Sequence, residues 1–94
     1  MPPCTLEYDP KVLVEDLPRM DHPTRERIRK AIKGRLVMDP EKFGFPLRRG
    51  LKGFRKLRIG DWRVIYLIRG SFVHIMLIGH RRDVYSLADK RLLG

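Results

Sequence analysis

The sequence predicts an α+β domain in which a small antiparallel sheet, made of an N-terminal strand plus a three-strand meander, packs on a two-helix hairpin. Three observations carry this expectation. Between two proline-bearing start signals and Pro40, apolar residues recur every three or four positions. From Phe54 onward the period changes, and β-branched and aromatic runs lie between glycine-bearing turns. The chain has 94 residues, 43% of them hydrophobic, which is enough for one core and too little for two, so a single domain over 1–94 is expected.

Thr5-Leu6-Glu7-Tyr8 alternates apolar and polar side chains and predicts a short strand. Asp9-Pro10 follows, an N-cap residue ahead of a proline, and starts a helix over 10–17 that Pro18 stops. Asp21-His22-Pro23-Thr24 is a second start signal. The helix behind it sets Ile28, Ala31, Ile32 and Leu36 on one stripe, with Arg25, Arg29, Lys30 and Lys33 elsewhere around the cylinder, so it packs by one face. Asp39-Pro40 ends this helix, and 41–53, with its glycines and Phe45-Pro46, reads as a loop. Residues 54–59, 62–68 and 72–78 predict three sequential antiparallel strands. Gly60-Asp61 suits a two-residue hairpin with glycine first, and Arg69-Gly70-Ser71 a slightly longer one. Gly79-His80-Arg81-Arg82-Asp83 then leaves the sheet, and 84–93 reads as a weak helix or an irregular tail.

Charge narrows the function. Twenty-one Lys and Arg against 11 Asp and Glu give a net charge of +10, which calls for a polyanion or an acidic protein as partner. A membrane role is not expected, because no apolar run is long enough to span a bilayer and no basic amphipathic helix carries aromatics on its apolar face. Met1-Pro2-Pro3-Cys4 has no secretory tract, so a cytoplasmic location is expected. The single Cys4 has no internal disulfide partner, and no Cys/His spacing resembles a metal site.

If Gly60-Asp61 is the whole loop, register follows by arithmetic: Ile59 faces Trp62, Arg58 faces Arg63, Leu57 faces Val64 and Lys56 faces Ile65. One face then carries Leu57, Ile59, Trp62, Val64 and Tyr66 and is the core face, which makes Trp62 and Tyr66 packing residues. The other carries Phe54, Lys56, Arg58, Arg63, Ile65 and Leu67, with two arginines opposed. Like charges across a ladder destabilise it unless an anion lies between them, and a phosphate backbone would serve. From Arg48 to Arg69 the cations are Arg48, Arg49, Lys52, Arg55, Lys56, Arg58, Arg63 and Arg69, against Asp61 as the one acid, an imbalance beyond what solubility requires.

At these residues a likeness enters. Leu51-Lys52-Gly53-Phe54-Arg55-Lys56-Leu57-Arg58-Ile59-Gly60-Asp61-Trp62-Arg63-Val64-Ile65-Tyr66 resembles the central hairpin of RelE-type toxins of the RelE/ParE toxin–antitoxin superfamily. Ile78-Gly79-His80-Arg81-Arg82-Asp83-Val84-Tyr85 resembles the family's exit from its last strand, an arginine followed a few residues later by a tyrosine. The resemblance covers essentially the whole chain and implies the toxin of a type II toxin–antitoxin system. It implies a metal-independent endoribonuclease that cuts mRNA on the ribosome by 2′-hydroxyl attack on the adjacent phosphate, with no cofactor, and so inhibits translation. The ParE branch shares the fold and poisons DNA gyrase instead, and a non-catalytic nucleic-acid binder is the third alternative.

The resemblance also implies roles. Lys56 matches a strand lysine near the nucleophile and is the candidate base. Arg58 and Arg63 are the charge stabilisers, Arg81 lies near the leaving oxygen, and Tyr85 stacks on or orients the nucleotide. Where such toxins present a second strand lysine, this chain has Phe54, and Lys52 is the substitute from the loop. His80 is a further candidate, since an imidazole suits proton transfer better than a guanidinium does, whereas His74 reads as a satisfied sheet histidine. Arg48, Arg49, Lys52 and Arg55 are expected to bind RNA. The implied partners are mRNA, the ribosome, and an antitoxin with an acidic, partly disordered segment that wraps the toxin.

Overall fold

The computed structural model describes residues 4–47 and 53–93. Its five-stranded sheet has the order β1-β5-β4-β3-β2, with β1 Thr5–Tyr8, β2 Phe45–Pro46, β3 Phe54–Ile59, β4 Trp62–Arg69 and β5 Phe72–His80. The β3–β4 register is the one that a two-residue Gly60-Asp61 loop dictates, with Ile59 opposite Trp62 and Arg58 opposite Arg63. Gly60 adopts φ +59°, the left-handed conformation such a turn asks of its first residue. The second hairpin is also closed by two residues rather than three, because β4 runs on to Arg69, which pairs with Phe72.

Two features of the sheet differ from expectation. The first strand is parallel to β5, not antiparallel, because the helices between β1 and the meander carry the chain back to the same end of the sheet. The stretch expected as a loop holds a short helix α2, Pro40–Phe43, and the two-residue strand β2, which pairs Phe45 with Lys56. Asp39 does end the preceding helix, but it also starts this one, accepting from the Lys42 N–H at 3.1 Å.

Start signals are read out as side-chain caps. Asp9 Oδ1 accepts from the Lys11 N–H at 2.9 Å ahead of a wide helical turn, Val12–Asp16, which tightens over Leu17–Arg19. Helix α1, His22–Ala31, is capped by Asp21, whose Oδ1 accepts from the Thr24 N–H at 2.9 Å, and it continues through Ile32–Leu36. That hydrogen bond holds the Asp21 carboxyl below its ordinary range, so this cap acts in full above about pH 4 and is lost as pH falls through the lowered value.

The core lies between the helices and one sheet face, where Ile28, Ile32 and Leu36 meet Leu57, Ile59, Val64, Tyr66, Val73, Ile75 and Ile78. The opposite face is not left open. A C-terminal helix, α3 Val84–Ala88, continuing over Asp89–Leu93, lays Val84 and Ala88 on Ile65 and Leu77 and closes a second, smaller core. A register shift in the β4–β5 ladder, where Ile65 pairs with Leu77 but Tyr66 with Ile75, leaves Met76 as an extra residue. It lets Ile75 and Leu77 serve opposite cores.

Tyr66 spans the sheet to α2, and its hydroxyl donates to the Pro40 carbonyl at 2.6 Å; burial pushes its ionisation upward. Gly44 leaves the room for that phenol, since a Cβ there would meet the Tyr66 hydroxyl. Gly44→Ala is therefore expected to destabilise the protein by about 1–3 kcal/mol through overpacking. Gly34, whose Cβ position is open, should accept alanine with a gain of about 0.5–1 kcal/mol from helix propensity. Denaturant melts of both variants check this pair.

Candidate active site

Strand parity sends Lys56 to the face that α3 partly covers, and the start of α3 brings Tyr85 over it. Lys56 Nζ donates to the Tyr85 hydroxyl at 2.7 Å and lies 5.3 Å from the centre of the phenol ring. The residues are 29 apart in the chain. Tyr85 keeps 43% of its surface exposed, so the ring is open to a stacking base while its hydroxyl is tied to an ammonium.

Arg58 is two residues beyond Lys56, roughly 7 Å along the strand, and it is exposed. Its surroundings were not legible beforehand: with Arg27, Lys30 and Arg35 it lines a hollow of about 520 Å³ that has no acidic residue in its wall. Arg27 lies against the hairpin turn, where a Cβ on Gly60 would come within 2.5 Å of its guanidinium. The signal was present in helical spacing, because positions 27, 30 and 35 follow one side of the helix that carries Ile28 and Ile32 inward.

Arg63 is opposite Arg58, as register requires, but it is 8% exposed. Its Nη1 donates to the carbonyls of Gly60 and Trp62, both at 2.9 Å. The apposed arginines therefore have a second explanation beside a bound phosphate: one of them braces the turn. Arg81 sits at that same turn. Its N–H donates to the Asp61 carbonyl at 2.7 Å, and its Nε is 3.6 Å from the Asp61 carboxylate. That pair is exposed on both sides, and such pairs contribute only about 0–1 kcal/mol, so an incoming phosphate can displace the carboxylate.

Two expected residues lie elsewhere. His80 pairs with Trp62 across the ladder and thus shares the core face, opposite to Lys56 and Tyr85. Its ring meets the indole edge-on at 5.6 Å, and Nδ1 accepts from the Arg82 N–H at 3.2 Å. Arg55 does not face a groove. It has the parity of Leu57 and Tyr66, and its Nη2 donates to the carbonyls of Glu41 and Gly44, both at 2.7 Å, fastening α2 to the sheet. Parity would have excluded Arg55 as an RNA ligand; summed charge along the sequence concealed it. The His74 ring stacks on Phe72 with 6.2 Å between ring centres, and its Nδ1 lies 3.8 Å from the Glu7 carboxylate, beyond hydrogen-bond reach. Arg48, Arg49 and Lys52 lie outside the described residues.

With this geometry in view, comparison with known proteins decides the family. Residues 6–85 match the family of the ParE toxin of type II toxin-antitoxin system, parDE. The chain belongs to this family. The toxin is also 34% identical to Toxin RelE of Mycobacterium tuberculosis over 74 residues, 77% of this chain and 76% of that one. Its fold matches the toxin-antitoxin complex RelBE2 of M. tuberculosis with a TM-score of 0.80 at 29% identity, covering 88% of this chain and 97% of the other. The RelB-RelE complex of Methanococcus jannaschii shares the fold at a TM-score of 0.58 and 18% identity, over 86% of this chain and 94% of that one. It is a type II toxin of the RelE/ParE superfamily, with the α+β fold of its relatives.

The two strand arginines separate by test. Arg55→Ala is expected to cost about 1.5–3 kcal/mol, the scale of hydrogen bonds from a charged donor. Arg58→Ala, an exposed change, should stay within about 0.5 kcal/mol. Thermal melts of the two variants measure the difference.

Proposed function

We propose that the toxin is a metal-independent endoribonuclease that cuts mRNA on the ribosome, with Lys56, Arg58, Arg63, Arg81 and Tyr85 as its working residues. The observation that carries this reading is the Lys56–Tyr85 contact, 2.7 Å long and made by residues 29 apart. An amine and a ring at one exposed spot suit a step in which a base removes the 2′-hydroxyl proton of a stacked nucleotide. The 2′ oxygen bonds to phosphorus, the P–O5′ bond breaks, and the products are a cyclic phosphate and a 5′-hydroxyl end. Lys56 takes the 2′ proton in its neutral amine form, Arg81 stands by the leaving oxygen, and Arg58 and Arg63 meet the non-bridging oxygens. Water protonates the leaving oxygen, since a guanidinium is a poor proton donor. His80 is left out of this scheme because it belongs to the other sheet face.

A partner follows from charge and shape. A hollow of about 700 Å³ between β1, the first helical turn and α1 has apolar walls of Leu6, Leu13, Leu17 and Ile32, with Arg25 and Lys33 also lining it. Leu13 is half exposed there. An amphipathic, acidic antitoxin segment fits such a surface, as the relatives known as toxin–antitoxin complexes suggest. The family match to ParE toxins favours a second reading, a gyrase poison held by protein contacts.

Induced expression without an antitoxin distinguishes these. Translation should stop with mRNA cut inside coding regions; intact mRNA with DNA breaks at gyrase sites would replace the ribonuclease reading with the other. In single-turnover cleavage on programmed ribosomes, Lys56→Ala, Arg63→Ala and Arg81→Ala should each slow the step by on the order of a hundredfold, by analogy with loss of one oxyanion donor. Tyr85→Phe, which keeps the ring, should retain more activity than Tyr85→Ala. Cleavage at the parent rate by folded Arg63→Ala and Arg81→Ala variants sinks the site. Single-stranded RNA affinity should fall with salt at a log–log slope of about −0.7 per phosphate neutralised, and Arg58→Ala should make that slope shallower. A flat response removes the basic face as an RNA surface.

A further inference from the structure

We infer that Asp16 and Arg91, joined in a buried two-point ion pair, are positioning residues that hold Tyr85 against Lys56. The inference rests on the ribonuclease reading for its activity arm alone. Arg91 Nη1 donates to Asp16 Oδ2 at 2.8 Å and Nη2 to Oδ1 at 2.9 Å. The Asp16 side chain is 1% exposed and that of Arg91 10%. Oδ2 also accepts from the Ile78 N–H at 2.9 Å, so the carboxylate is fixed to β5 as well as to the arginine. Two segments of the chain, 75 residues apart, thus meet beside the C-terminal end of β5.

Apart from the Lys56–Tyr85 contact itself, the side-chain packing of the C-terminal helix on the sheet is apolar. Val84, Ala88, Leu87 and Leu92 rest on Ile65 and Leu77, and apolar contact is non-directional. Val84 and Ala88 are small, and a rod held by them can roll. A roll of about 20° moves an atom on the rim of a helix, at a radius of about 6 Å, by about 2 Å. That is enough to break the 2.7 Å contact between Lys56 and the Tyr85 hydroxyl. A planar fork gripped at both nitrogens resists such a roll, because both bonds lengthen when the helix turns. Neither residue touches the exposed Tyr85–Lys56 spot, so the pair acts on it through the helix.

The test uses the full toxin with ¹³C-labelled tyrosine, in which Tyr8, Tyr66 and Tyr85 are the three signals to follow. Arg91→Met and Asp16→Asn are each made alone and together with Tyr85→Ala. Asp16→Asn keeps an acceptor for the Ile78 N–H and so serves if Arg91→Met does not fold; Arg91→Lys, which keeps the charge and loses the fork, is the graded control. Tyr85 ring signals should shift and broaden in both single variants while those of Tyr8 and Tyr66 stay in place. Single-turnover cleavage should fall on the order of tenfold to a hundredfold, as displacement of a reacting group by about 1 Å does. Arg91→Lys should recover part of the loss. In the Tyr85→Ala background the same changes should add almost nothing, because the residue through which they act is gone. Unmoved Tyr85 signals, or an equal loss of rate with and without Tyr85, overturn the inference. If the parent toxin cuts no RNA, the ribonuclease reading fails on its own, and the tyrosine signals still decide whether the ion pair positions Tyr85.

Discussion

A two-residue turn at Gly60-Asp61 leaves the β3–β4 ladder no freedom to slip, and most of the molecule depends on that restriction. Side chains alternate along a strand with a period of two, so a slip by one residue would exchange the faces of β3. Leu57 and Ile59 would lose the helices, and Lys56 would be driven toward Ile28 and Ile32. Three cations are recruited to hold the turn: Arg63 donates to the carbonyls of Gly60 and Trp62, Arg27 packs against Gly60, and Arg81 pairs with Asp61. The positive charge at this end of the hairpin is thus structural before it is anything else. A phosphate arriving there would meet groups already gathered for another purpose.

The sheet carries a core on each face, which is unusual for so short a chain and shapes what the basic face can do. The large core, under the two N-terminal helices, takes Leu57 and Ile59 of β3. The small core under the C-terminal helix covers Ile65 and Leu77 and leaves the Lys56 end of the face exposed at its margin. The extra residue in β5 serves both, since it sends Ile75 to one side and Leu77 to the other. The result is a short cationic margin between a helix and a hairpin turn rather than a broad open groove, with Tyr85 reaching into it from the helix and Arg81 from the chain just before it.

Local patterns determined much of this in advance. Caps at Asp9 and Asp21, the apolar stripe from Ile28 to Leu36, the three meander strands and the register of the first hairpin all rest on neighbours within a few residues or on the length of one turn, and such rules act in any context. The same arithmetic put Lys56, Arg58 and Arg63 on one face and assigned Trp62 and Tyr66 to packing. Tertiary structure decided what each group there meets. Arg55 looked like its neighbours in charge, yet its partners are carbonyls of Glu41 and Gly44, contributed by a segment that read as loop. His80 was a further candidate for proton transfer, and pairing places it beside Trp62 on the other sheet face. The direction of β1, the fold-back of the C-terminal helix and the Asp16–Arg91 pair all join residues far apart in the chain. Hydrophobic burial and ion pairing carry no sequence separation of their own, so no periodicity announces them; only the packed chain selects among the many partners that composition allows.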